Sequence, residues 1–141
     1  MMKFAAAAAL LAGCGASAAP DEAALERYQD ANALFDQGRY GDAIPLYESV
    51  LPIRDRLKGA YYRLAYCYES RGEESRAVET LEKAARVDPQ DEYALRNLWR
   101  LYCHRGFVDQ ALDAARRLSV LYPGDAKLRG EIARLESLKG K

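Results

Sequence analysis

Apolar residues recur along this chain at the three- and four-residue steps of a helical face, separated by polar runs. Tyr61, Leu64, Ala65 and Tyr68 form one such stripe, and Ala77, Leu81 and Ala84 the next. Leu95, Leu98 and Tyr102, then Ala111, Ala115 and Leu118, repeat the pair further on. Ala31 with Leu34, and Ala43 with Tyr47 and Val50, precede them. Spacing of this kind buries one stripe of an α-helix and leaves the remaining faces wet. The pattern predicts helix throughout. A last stripe, Leu128, Ile132, Leu135 and Leu138, predicts an amphipathic helix covering the preceding ones, with Gly130 weakening it by about 1 kcal/mol relative to alanine.

The stripes share one phase. Gly38, Gly72 and Gly106 are equally spaced, and the fifth residue beyond each is Ala43, Ala77 or Ala111. Ile44, Val78 and Leu112 follow those alanines, and Pro89 and Pro123 keep the same interval. Glycine reaches the left-handed backbone angles that end one helix and begin another. Alanine lets two helices approach, and the large residues three or four positions away fill the grooves between ridges. In "DPQD" and "YPGD" proline stops a helix, while Asp91 or Asp125 caps the next.

This interval and order of residues resemble the tetratricopeptide repeat, a helix-turn-helix unit with a period of about 34 residues. The resemblance implies an all-α protein: a right-handed α-solenoid of three repeats, at about 24–57, 58–91 and 92–125, with residues 126–141 as a capping helix and tail. The middle repeat fits best. The first carries Arg27 and Asp30 where its neighbours have Tyr61 and Leu64, or Leu95 and Leu98, as the polar outer face of an end repeat requires. Pro52 is expected to shorten its second helix. In the third, Trp99 fills a position normally held by a small residue, so either the helices part there or the register shifts.

Charge removes several classes of function. Lys plus Arg and Asp plus Glu each number 21, so no net field favours nucleic acid or an anionic membrane. The longest basic run is a pair such as Arg116-Arg117. Ten tyrosines against three phenylalanines point to rings with one wet end. No phosphate loop, metal-spaced cluster or nucleophile elbow occurs, so neither catalysis, cofactor nor metal is expected. His104, the only histidine, ends a helix and is expected to meet terminal carbonyls. Adjacent helical side chains do not face each other, which excludes Cys103 and His104 as a working pair.

The first twenty residues, "MMKFAAAAALLAGCGASAAP", place Lys3 before an apolar stretch and then small residues, the layout of an export signal. That stretch is about half the roughly 20 residues of a membrane-spanning helix. "LAGC" resembles the bacterial lipobox, which implies a signal peptide over 1–13, cleavage before Cys14 and a lipid on its thiol, with 14–23 as a short linker. The small-x-small "ASA" offers a rival cut after Ala18, which would release a soluble periplasmic or secreted protein. Each buried methylene adds about 0.8 kcal/mol, so two or three acyl chains anchor firmly where one does not. Gly15 after the cysteine points to the outer membrane, on its periplasmic side.

Cys67 and Cys103 fall on first helices of neighbouring repeats, offset by two residues beyond the period, about 200° of rotation. They serve as small apolar fillers or as a disulfide pair. The resemblance also implies that first helices line a concave groove holding a peptide or another helix. Carried onto this chain, the groove candidates are Asn32 and Phe35; Tyr62, Arg63, Tyr66 and Glu69; and Tyr93, Arg96, Asn97, Arg100 and Cys103. Tyrosine supplies rigid amphipathic area, asparagine amides suit a backbone, and guanidinium forks suit carboxylates, so an acidic or extended partner is expected. One subclass of the family grips a chain-terminal carboxylate through lysines, an arginine and asparagines; of that set only Asn32 fits cleanly. The expected function is a lipid-anchored, non-enzymatic scaffold for protein–protein interaction at the bacterial envelope. The alternatives are a subunit of an outer-membrane assembly complex and a soluble periplasmic adaptor.

Overall fold

The computed structural model describes residues 19–140. Seven α-helices account for nearly all of them: α1 (Pro20–Asp36), α2 (Tyr40–Val50), α3 (Lys58–Ser70), α4 (Glu74–Val87), α5 (Glu92–His104), α6 (Val108–Leu121) and α7 (Ala126–Lys139). No strand occurs among the described residues. The expected signal peptide, Cys14 and the rival site at Ala18 lie outside them.

The repeat period governs the helix boundaries. α5 begins and ends one full period after α3, and α6 does the same relative to α4. The register therefore runs through Trp99 unshifted. α7 starts one period after α5, so the capping helix occupies the place of a fourth first helix. Each helix packs chiefly on its neighbours in sequence, which builds a solenoid.

The turns explain why the phase is kept. Gly38, Gly72 and Gly106 have φ of 73°, 75° and 72°, the left-handed region that side chains strain to enter. Around each, one backbone bond closes the turn five residues back: Arg39 N–H to Leu34, Glu73 N–H to Tyr68 and Phe107 N–H to Tyr102, at 2.9, 2.8 and 2.8 Å. This is a Schellman closure built three times. Between repeats, the Asp91 carboxylate accepts the Ala94 N–H at 3.2 Å and Asp125 accepts that of Leu128 at 3.0 Å. Both aspartates cap as their sequence context predicts.

The core follows the stripes. Leu64, Ala65, Leu81, Ala84, Leu95, Leu98, Ala111, Ala115 and Leu118 are buried, and so are Ala31, Ala43, Tyr47 and Val50 of the first repeat. Leu34 is only half-buried. Two expectations need correction. α1 reaches back to Pro20, into the segment expected to be linker, because proline at the first helical turn loses nothing and Asp21 and Glu22 suit its N-terminal dipole. In α7, Leu128 and Leu135 are buried, but Leu138 is exposed, although its neighbour Lys139 still reaches Asp109 in the first turn of α6. α2 stops at Val50, two residues before Pro52, and carries Pro45 inside it. It is accordingly the shortest of the seven.

The candidate binding groove

Eight of the eleven groove candidates converge. Phe35 from α1, Tyr62, Arg63 and Tyr66 from α3, and Tyr93 from α5 line a cleft of about 190 Å³, together with the bare backbone of Gly59. A second cleft of about 290 Å³ adjoins it, sharing Tyr62, Tyr66 and Tyr93 and adding Glu69, Asn97 and Arg100, with Ala65 and Leu81. Helical spacing explains the convergence: Tyr62, Tyr66 and Glu69 stand one turn apart on α3, and Tyr93, Asn97 and Arg100 do so on α5.

Aromatic rings dominate the wall. Phe35, Tyr40 and Tyr66 form a three-ring cluster with centroids 5.3, 5.4 and 5.5 Å apart. Tyr62 and Tyr93 pack at 4.1 Å, their planes inclined by 35°. The separations within the three-ring cluster favour aromatic pairs by roughly 0.5–1.5 kcal/mol beyond burial, so that part of the wall is held in place by its own members. Tyr66 and Tyr93 are still 48% and 45% exposed. The Tyr62 hydroxyl donates to Asp91, the aspartate that caps α5. Burial first, and that carboxylate second, push the phenol well above its ordinary pKa and keep it a donor.

The arginines are already engaged. Arg63 Nη1 lies 3.2 Å from the Asp36 carboxylate, with its guanidinium carbon 4.8 Å from the Phe35 centroid. Arg100 Nη2 reaches the two Glu69 oxygens at 2.9 and 2.8 Å, and Asn97 Oδ1 at 3.2 Å. Asn97 spends its own amide on the Tyr93 carbonyl at 2.9 Å. Arg63 and Arg100, expected to grip a partner's carboxylates, thus each spend one terminal nitrogen on the wall, and Asn97 spends its amide there too.

Three candidates fall elsewhere. Asn32 is half-buried and accepts the Tyr47 hydroxyl at 2.8 Å. Arg96 pairs with Glu92 at 2.6 Å and lies 5.3 Å from the Tyr122 centroid, beside the turn that leads to α7. Cys103 faces Arg134 and Glu131 of α7, whereas Cys67 is buried near Arg63 and Tyr47. Both thiols are free, and their angular offset of about 200° turns them toward different neighbours rather than toward each other. Burial pushes the Cys67 thiol up to about 11. His104 also departs from expectation: its ring approaches the Glu74 carboxylate at 3.3 Å, because the start of α4 stands beside the end of α5. Tyr40 is the groove residue that sequence reasoning missed. It opens a second helix rather than a first, and its one signal is its place two residues after the Gly38 turn.

Two larger clefts, of about 600 and 640 Å³, lie away from the groove and are related by the repeat. In each a tyrosine hydroxyl meets a glutamate of the preceding second helix, Tyr68 with Glu48 and Tyr102 with Glu82. Among the described residues no group of histidine, cysteine or carboxylate side chains is placed to hold a metal, and no helix is long and apolar enough to cross a membrane.

Comparison with known proteins agrees with this architecture. The tetratricopeptide repeat family model matches residues 34–98. Photosystem I assembly protein Ycf3 of Prochlorococcus marinus subsp. pastoris is 34% identical over 94 residues, covering 64% of this chain. The chain spans about half, 54%, of that relative's length. Ycf3 of P. marinus strain MIT 9211 is 29% identical over 124 residues, covering 76% of this chain and 72% of the relative. Among solved structures, the first TPR of Spaghetti (RPAP3) bound to an HSP90 peptide superposes with TM-score 0.66 at 16% identity, over 86% of this chain and 96% of that one. The MamA protein does so with TM-score 0.67 at 21% identity, over 86% and 66%. With its constant phase, its three glycine turns and its paired helices, the chain is an all-helical solenoid, and residues 34–98 of it match the tetratricopeptide repeat.

Proposed function

We propose that this chain is a non-enzymatic scaffold that holds a segment of another protein in the groove across α1, α3 and α5. The observation that carries the reading is the wall of five packed aromatic rings, two of them about half exposed, in a chain with no net charge. Rigid amphipathic rings at the centre of a surface are the usual anchors of protein contacts. Relatives named for photosystem I assembly, and a solved structure of like fold that holds a peptide, support a role in assembling or recruiting proteins. We extend the proposal to location: a lipid on Cys14 would place the groove beside the periplasmic face of a bacterial envelope membrane, most simply the outer one. The support for that step is the "LAGC" pattern behind a short apolar run.

Crosslinking in native membranes, with partners identified, tests both parts. Tyr66→Ala with Tyr93→Ala is expected to lose the crosslinked partner while keeping helical content. Cys14→Ala is expected to release the protein from membranes and abolish lipid labelling. Retention of the same partner by the tyrosine variant sinks the groove, and an unchanged membrane fraction sinks the anchor. A constitutive subunit of an assembly complex would comigrate with one large species, and an adaptor would not.

A further inference from the structure

We infer that the groove takes an extended, uncharged segment bearing proline, and disfavours a segment ending in a free carboxylate. The inference rests on the groove being a protein-binding site and names what that site accepts.

Charge comes first. Both cations of the two clefts are neutralised within the wall, Arg63 by Asp36 and Arg100 by Glu69. An incoming carboxylate would meet each guanidinium with Asp36 or Glu69 already beside it, and that like charge opposes its approach. The complementary partner of a surface whose charges cancel in pairs is an uncharged one.

Hydrogen bonding narrows the choice further. Asn97 is occupied at both ends of its amide, by the Tyr93 carbonyl and by Arg100. The amide of the cleft is thus already engaged with the wall, and a segment with fewer N–H groups to satisfy asks less of it. Proline has no N–H and offers only a carbonyl, so it asks its host for donors alone. The half-exposed Tyr66 and Tyr93 bring phenol hydroxyls that serve as donors.

Shape agrees. The smaller cleft lies between the Phe35–Tyr40–Tyr66 cluster and the Tyr62–Tyr93 pair, with Gly59, against which the Tyr28 hydroxyl packs, completing its lining. A ring-lined slot of this kind suits a polyproline II segment, whose preformed extended conformation lowers the ordering cost of binding.

Selection from a displayed library of random peptides tests this, with each peptide presented both internally and with a free C-terminus. The expected enrichment is of uncharged, proline-containing sequences in either format. An amidated synthetic peptide of that kind should bind at least about tenfold more weakly to the Tyr66→Ala/Tyr93→Ala variant, by fluorescence anisotropy. Its affinity should change little between about 0.05 and 0.5 M salt, because no exposed ion pair is made. Both substituted positions are exposed, and circular dichroism verifies that the variant keeps its fold. Enrichment instead of acidic peptides with free carboxylates, weakened by salt and by Arg63→Ala with Arg100→Ala, overturns this inference while leaving the groove a protein-binding site. If no enriched peptide is weakened by the tyrosine substitutions, the protein-binding reading itself fails.

Discussion

Gly72 adopts φ of 75°, and a side chain built on it would meet nothing within 4 Å. Space is therefore no obstacle to a larger residue, and the backbone alone resists. Gly72→Ala should destabilise the chain by about 1–2 kcal/mol, the cost of holding an L-residue in the left-handed region. Gly72→Asn should cost less, because asparagine tolerates that region. Urea unfolding of the two variants checks the order, and equal costs would show that the turn relaxes. The same residue-scale view explains what the sequence made legible in the groove. Tyr62, Tyr66 and Tyr93 were readable because helical periodicity alone decides which way they face. The occupation of Arg63 and Arg100 was not. Their partners Asp36 and Glu69 sit on the preceding first helices, and nothing in local spacing says that those carboxylates arrive first.

Among the elements, α7 shows how a helix of weak intrinsic preference is kept by what it covers. Its contact rests on Leu128 and Leu135, with Ile132 half-buried between them, and on ion pairs from Arg116 to Glu136 and Lys139 to Asp109. Such exposed pairs contribute about 0–1 kcal/mol each. Gly130 lies inside the helix, and a β-carbon there would meet nothing within 4 Å. Gly130→Ala should accordingly stabilise the protein by about 1 kcal/mol, read as a raised urea midpoint with an unchanged slope. A lowered midpoint would mean that the glycine serves a contact outside this chain. The position of α7 was legible because its stripe continues the phase of the repeats. The early start of α1 was hidden, because a run of alanines and Pro20 reads equally well as leader, linker or first turn.

For the molecule as a whole, buried titratable groups set a limit at alkaline pH. Burial raises the Tyr47 and Tyr68 hydroxyls to about 12 and the Cys67 thiol to about 11. Their ordinary values are about 10 for tyrosine and about 8.5 for cysteine. A folded-state pKa above the unfolded one means that the unfolded chain loses its protons first, so stability falls as pH rises. Stability should hold below about pH 8.5 and decline progressively up to about pH 12, with no comparable loss from these groups between about pH 6 and 8. Unfolding free energies measured across that range check it. A Cys67→Ala variant, compared with the parent, should lose the part of the decline that begins near pH 8.5, about the ordinary value of a free thiol.

Trp99 stands where the earlier repeats place Ala31 and Ala65, and its indole nitrogen is buried without a partner. It is also the only tryptophan of the chain, on the helix that α7 follows by one repeat period, one turn before Cys103, which faces Arg134. The molecule thus carries its own lamp at one end. Ultraviolet emission reports chiefly on the α5–α7 end, while circular dichroism sums all seven helices. Because each helix leans mainly on its sequence neighbours, fraying that starts at α7 should redden the emission at a lower urea concentration than the one that halves the helical signal. Gly130→Ala should draw the two transitions together, and coincident curves in the parent chain would show instead that the whole stack melts as one.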